Sequence, residues 1–208
     1  MFDVIRIDHF RGLESYWSVP AGEKTAVNGH WRKGPGMDFL ERIKGWFKGI
    51  EIIAEDLGIL TDEVRQLLKE SGFPGMKVLE FAFDNSRTSD YLPYKYDKNC
   101  VCYAGTHDNA TLKEWKETGD KAEIAFAKEY FGITGRSSFN FGIIKGGMAS
   151  TADLFITQMQ DYLELGKEAR TNVPGVADGN WKWRMKKGAA TDKLAEKIAH
   201  ITEMYGRA

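Results

Sequence analysis

Short, almost unbroken apolar runs that stop abruptly on charged or polar residues recur along this chain, and they limit its architecture more than any other feature. Val4-Ile5-Arg6-Ile7 stops at Asp8-His9, Ile50 to Ala54 at Glu55-Asp56, and Asn99 to Ala104 at Gly105-Thr106-His107-Asp108. Runs of roughly four to eight such residues, rich in β-branched side chains, read as buried strands. Met76 to Phe83 and Leu154 to Met159 bring the set to five. Helical patterns lie between them. Met37 to Lys48 places Phe39, Leu40, Ile43, Trp46 and Phe47 at helical spacing, and Thr61 is the N-cap for a helix over Asp62 to Glu70 that Ser71-Gly72-Phe73-Pro74 stops. Lys121 to Phe131 and Thr191 to Tyr205 supply two more helices.

Strands that alternate with helices imply a parallel sheet with right-handed crossovers. Apolar strands ending in polar groups narrow this to a barrel or a doubly wound sheet. No Gly-x-Gly-x-x-Gly follows the first strand and no Gly-x-x-x-x-Gly-Lys-Ser/Thr occurs, so nucleotide-binding sheets lose their usual support. The expected class is therefore α/β, of the (β/α)8 TIM barrel family. Such a barrel builds its active site at the C-terminal ends of several strands, where Asp8, Glu55 and Asp108 fall. It also needs eight strands and typically ~250 residues. A chain of 208 residues with five strands corresponds to the C-terminal portion alone, residues 1–208 forming one part of a catalytic barrel. Its first strand then has an open edge, and the missing N-terminal barrel half is the expected partner.

Charge and composition remove several function classes. With 29 basic and 30 acidic residues the net charge is -1, which gives no basic footprint for nucleic acid. No apolar stretch approaches the ~20 residues of a membrane helix, and Met1-Phe2-Asp3-Val4-Ile5-Arg6 lacks a signal-peptide layout. Cys100 and Cys102 alternate onto one face of a strand, too close in sequence for an easy disulfide, and read as core thiols of a cytoplasmic protein. Six Trp and eight Tyr are generous for this length. Tyr16, Trp17, Trp31, Tyr91, Tyr94, Tyr96, Trp181 and Trp183 lie among Gly, Pro, Asn and Lys, either as loop anchors or as flat platforms for the apolar faces of sugar rings.

Arg6 and Asp8 share one side of a strand, so the arginine keeps the carboxylate ionised, whether as a nucleophile or as a pair tying down the strand end. Glu55 follows Ile52, Ile53 and Ala54, and apolar neighbours favour the neutral acid that a proton donor needs; the competing reading of Glu55-Asp56 is an acidic pair at a helix start. One carboxylate held ionised and one protonated is the division of labour in a retaining glycosidase, with the two groups ~5 to 5.5 Å apart. His107 and Asp108 follow a Gly-Thr turn that aims both at one ligand, such as adjacent sugar hydroxyls. Metal ligation has little support from four His and two Cys without His-Glu-x-x-His. A serine hydrolase lacks its Gly-x-Ser-x-Gly elbow.

Arg6-Ile7-Asp8-His9-Phe10-Arg11-Gly12, Ala54-Glu55-Asp56-Leu57-Gly58 and Gly105-Thr106-His107-Asp108-Asn109 resemble the C-terminal motifs of the amylomaltase family. These are the 4-α-glucanotransferases or disproportionating enzymes, relatives of the α-amylase superfamily. Leu13 to Trp17, Gly29 to Gly36, Met76 to Asp84 with Tyr91-Leu92-Pro93, Arg170 to Gly175 and Asn180 to Arg184 are also similar, so the resemblance covers nearly the whole chain. It implies Asp8 as nucleophile, Glu55 as acid/base and Asp108 as transition-state stabiliser. Arg6, His9, His107, Asn109, Trp17 and Trp31 would bind substrate, with no metal or organic cofactor. The implied activity is transfer of α-1,4-glucan segments between maltooligosaccharides in starch and glycogen metabolism, by a retaining double displacement. A hydrolase of the same superfamily and a non-catalytic glucan-binding fragment are the alternatives. The resemblance begins at about the fourth barrel strand, so earlier strands and their substrate loops are absent.

Overall fold

Each expected strand is present, and most stop sooner than the apolar run that announces them. The computed structural model describes residues 2–135 and 137–208, and the chain divides into two compact units, Met1–Met76 and Lys77–Ala208.

In the first unit, β1 (Val4–Ile7) leads through a 3-10 turn (Phe10–Leu13) into an antiparallel pair, β2 (Ser15–Ser18) and β3 (His30–Lys33). Helix α1 (Gly36–Trp46) then crosses over to β4 (Glu51–Ala54), which runs parallel to β1 with Val4 opposite Glu51 and Ile7 opposite Ala54. The crossover is the one the strand–helix alternation requires. Helix α2 (Asp62–Ser71) starts where Thr61 accepts the Val64 amide and ends on Gly72 in the left-handed conformation, the Gly-led stop read from the sequence. Phe10, Leu40, Ile52, Ala54, Leu67 and Phe73 form this unit's core. The outer part of β1 lies outside that core. Val4 and Ile5 are 43% and 44% exposed, Trp46 at the end of α1 is 70% exposed, and β4 is the strand partner of β1 among the described residues.

The boundary between the units falls inside β5 (Gly75–Val78), which heads a three-stranded sheet of order β5-β6-β7 with β6 (Cys100–Tyr103) and β7 (Leu154–Ile156). β6 and β7 are parallel, Val101 facing Leu154. Helices α3 (Leu112–Thr118), α4 (Lys121–Tyr130), α5 (Phe139–Met148), α6 (Met159–Tyr162) and α7 (Asp192–Met204) follow in chain order. Cys100 and Cys102 are buried thiols in this unit's core, as expected, and burial pushes the Cys102 thiol up to about 12.

Several expectations need correction. The strand expected over Met76 to Phe83 ends at Val78, because Leu79–Phe81 tightens into a 3-10 turn. The strand expected from Leu154 to Met159 ends at Ile156, and Met159 opens α6. The β2–β3 pair was not foreseen: Ser-Tyr-Trp-Ser and His-Trp-Arg-Lys lack an apolar alternation. Helix α5 was also missed, since Phe-Asn-Phe-Gly-Ile-Ile-Lys-Gly-Gly-Met holds three glycines, each costing ~1 kcal/mol of helix propensity. Packing bears on all three, and a Cβ at Gly142 would lie 2.5 Å from Ile133. A Cβ at Gly146 would lie 2.1 Å from the Phe131 ring, and one at Gly147 would lie 2.1 Å from the Phe155 ring.

Phe83 centres an aromatic cluster, with ring centroids 5.4 Å from Phe131, 5.6 Å from both Phe126 and Tyr130, and 6.2 Å from Trp115. It is 1% exposed. Phe83→Ala should therefore cost about 3–5 kcal/mol in a urea-unfolding measurement, and a loss below about 1 kcal/mol would show that the cluster closes over the gap.

Candidate functional site

The ends of β1 and β4 are knotted together at residue 55. Glu55 donates its amide to the Ile7 carbonyl (2.9 Å) and accepts the Phe10 amide at its own carbonyl (2.9 Å). Its carboxylate accepts the His9 amide at 2.6 Å on one oxygen and the Leu57 amide at 2.9 Å on the other. His9 takes a left-handed backbone (φ 50°) to bring its N–H round, a conformation uncommon for a non-glycine residue and typical of constrained sites. Two loop amides thus hold the Glu55 carboxylate, one on each oxygen, a support the sequence reading did not foresee. Alternation along the chain sends Asp56 the other way, where it is buried and accepts the Met76 amide at 2.6 Å. Of the acidic pair, Asp56 is the structural member.

Arg6 donates to Asp8 at 2.9 Å, the pair foreseen from their spacing, and its other guanidinium nitrogen contacts the Met76 sulfur at 3.8 Å. The Asp8 side chain is 76% exposed against 28% for Arg6. The arginine is therefore fixed from behind, and the carboxylate faces open space.

Trp17 and Trp31 lie opposite each other across β2 and β3, with ring centroids 5.5 Å apart in an edge-to-face arrangement. The Trp17 indole N–H is committed to the Ala26 carbonyl at 2.8 Å, and Arg11 lies 5.1 Å from the Trp31 ring centroid. Trp31 is the more exposed of the two. Both indoles brace the hairpin, and Trp31 keeps more free surface for a ligand.

In the second unit, β6 runs into a turn closed by Asn109, whose side-chain oxygen accepts the Thr106 amide at 2.9 Å and the Thr106 hydroxyl at 2.7 Å. Asn109, expected among the substrate contacts, thus spends that oxygen on the turn. The turn places the His107 ring nitrogen 3.5 Å from an Asp108 carboxylate oxygen. The other Asp108 oxygen accepts the Asn172 side-chain amide at 2.5 Å, and Asn172 donates its main-chain amide to the His107 carbonyl at 3.1 Å. Trp181, again in the left-handed region at φ 62°, sets its ring 5.0 Å from the His107 imidazole. Asn172 and Arg170 received no individual role from sequence, although the segment that carries them was among those resembling the family; Trp181 was read only as one of eight aromatics that either anchor loops or stack on sugar rings.

Two acids lie beneath this turn. Glu80 is pushed well above the ordinary carboxylate range by burial first and by the Asp161 charge second. Asp161, fully buried, is pushed up to about 6 by burial, against which the Leu112 amide (2.8 Å) and the Thr157 hydroxyl (3.2 Å) hold it.

The family described as 4-alpha-glucanotransferase matches residues 1–191. The chain is 51% identical to the 4-alpha-glucanotransferase of Clostridium butyricum, over 100% of this chain and 43% of that protein. It is 40% identical to the chloroplastic/amyloplastic 4-alpha-glucanotransferase of Arabidopsis thaliana, over 100% of this chain and 36% of that one. Amylomaltase from Streptococcus agalactiae in complex with acarbose superposes with a TM-score of 0.94 at 35% identity, covering 100% of this chain and 42% of the other. The chain therefore spans about two-fifths of the length of these relatives. Its α/β architecture, whose sheets do not close among the described residues, matches part of the amylomaltase TIM barrel.

The buried Asp161 makes stability pH-dependent with a definite sign. Between its ordinary value of 3.8 and its raised value of about 6, the folded chain holds a proton that the unfolded chain has released. Stability then falls as pH rises through that window. Relative to Asp161→Asn, the parent should lose about 2–3 kcal/mol between roughly pH 4 and pH 7. Urea unfolding of both proteins across the range checks this, and parallel profiles would refute it.

Proposed function

Because the chain belongs to the 4-alpha-glucanotransferase family, glycoside hydrolase 77, we propose that it supplies the catalytic acids of a retaining transferase acting on α-1,4-glucans. Asp8 is the nucleophile, Glu55 the acid/base and Asp108 the transition-state stabiliser. The observation that carries this reading is the 2.6 Å bond from the His9 amide to Glu55, which brings the Glu55 carboxylate to the residue after Asp8. Two carboxylates on adjacent strand ends are the equipment of double displacement.

In the first step the Asp8 carboxylate forms a bond to the anomeric carbon as the bond to the glycosidic oxygen breaks, and Glu55 gives that oxygen its proton. A β-linked glucosyl-enzyme results. Glu55 then takes the proton of an incoming 4-hydroxyl, whose oxygen displaces Asp8 and restores the α link. Arg6, bonded to Asp8 at 2.9 Å, fixes the direction from which that carboxylate attacks. Asp108, steadied by Asn172, offers negative charge to the developing oxocarbenium ion. His107 with Trp181, His9, Asn109 and the Trp17–Trp31 pair are the proposed ring and hydroxyl contacts.

Maltooligosaccharides and longer α-1,4-glucans are the proposed substrates, which the acarbose complex of the Streptococcus agalactiae relative supports. We place the protein in the cytoplasm, in starch or glycogen metabolism, without a metal or organic cofactor. The chain matches 43% of its Clostridium butyricum relative, and Val4, Ile5, Trp46 and Phe47 leave apolar surface exposed. The proposed working form joins this chain to the N-terminal part of the barrel, which covers that surface.

Incubated with maltotriose, the full-length protein should yield glucose together with a ladder of longer maltooligosaccharides. Shorter products alone would identify a hydrolase instead. Asp8→Asn and Glu55→Gln should each lower the rate of glucose release by ~10³-fold or more, with little further loss when combined. Substantial activity in either variant would overturn the role given to that residue.

A further inference from the structure

Behind the Asp108 turn lies an arginine whose three contacts all bear on the geometry of that acid. Arg170, which follows a short 3-10 turn (Lys167–Ala169), donates from Nη2 to the Asp108 main-chain carbonyl at 2.7 Å and from Nε to the Asn172 carbonyl at 3.0 Å. Its third nitrogen, Nη1, lies 3.6 Å from Glu114 Oε1 on α3. One planar guanidinium thus fixes the residue that carries the carboxylate and the residue whose side-chain amide clamps that carboxylate at 2.5 Å. A rigid fork sets both at once, which a flexible ammonium does not do.

The buried side of the fork is anchored rather than solvated. The Glu114 side chain is 7% exposed, against 22% for Arg170. Its second oxygen, Oε2, is buried with no hydrogen-bond partner among the described residues, and Arg170 supplies positive charge beside the buried carboxylate. Glu80 Oε1 is likewise buried without a hydrogen-bond partner among the described residues, and it lies 2.6 Å from where a Cβ on Gly105 would stand. The floor of the turn is therefore built to contact, with only a glycine fitting above Glu80.

We propose that Arg170, seated on Glu114, is a positioning residue for the transferase reaction: it holds the Asp108 carboxylate and its Asn172 clamp in one fixed relation, through main-chain carbonyls. The proposal rests on the role given to Asp108. Arg170 acts on Asp108 through main-chain carbonyls, so its loss should fall on the chemical step. Misplacing a charge by about 1 Å costs on the order of a hundredfold in rate.

The test is a double-mutant cycle in the full-length protein with Arg170→Lys, which keeps the charge opposite Glu114 and loses the fork. Glucose release from maltotriose should fall about tenfold to a hundredfold in kcat, with KM changed less than about threefold. In an Asp108→Asn background the same change should cost less than about twofold, because Arg170 then has no carboxylate to position. Amide exchange in residues 105–109 should also quicken about tenfold in Arg170→Lys, with the rest of the protein unchanged. An unchanged kcat, an equal loss in both backgrounds, or unaltered exchange in the turn would each overturn the proposal. A parent protein that releases no glucose would instead sink the reading of the reaction, while the exchange measurement still decides whether Arg170 holds the turn.

Discussion

A carboxylate can follow a buried strand only where the chain leaves the sheet and loop amides take over from apolar neighbours. The rest of this structure turns on that constraint. At Glu55 the change happens within one residue: Ala54 is fully buried, and the next side chain is held by the amides of His9 and Leu57. Because residue 55 also bonds Ile7 and Phe10 through its main chain, the ends of β1 and β4 cannot drift apart without releasing the acid. Fold and site are thus the same set of hydrogen bonds. Register between two parallel strands becomes the distance between two functional groups.

The second unit meets the same constraint differently. Its acid, Asp108, sits on a turn that has left the sheet, so the sheet does not hold it. Support comes from far along the chain, through Arg170 and Asn172, sixty-two and sixty-four residues away. Beneath it, Glu80, Glu114 and Asp161 accept burial, and the cost appears as raised proton affinity at Glu80 and Asp161. Charge that is expensive to bury is used here where rigidity is needed most.

What could be read from sequence follows the range of the forces involved. Strand cores and the helices at Asp62–Ser71, Lys121–Tyr130 and Asp192–Met204 were legible, since they rest on local periodicity and on caps such as Thr61 and Thr191. The Arg6–Asp8 pair was legible because strand alternation alone brings it together. The amide clamp on Glu55 was not, because apolar neighbours in sequence say nothing of which loop N–H groups will converge on a side chain. Arg170 and Asn172 were invisible as supports for a simpler reason, their distance along the chain from Asp108. The hairpin at Trp17 and Trp31 lacked any alternation to reveal it.

Helix α5 shows what such non-local dependence means for assembly. Its three glycines give it little tendency to coil on its own, and two of them exist so that Phe131 and Phe155 can lie against its backbone. Those rings come from the end of α4 and from β7, on either side of it in the chain. The helix thus owes its order to rings supplied from both sides of it in the chain more than to its own sequence.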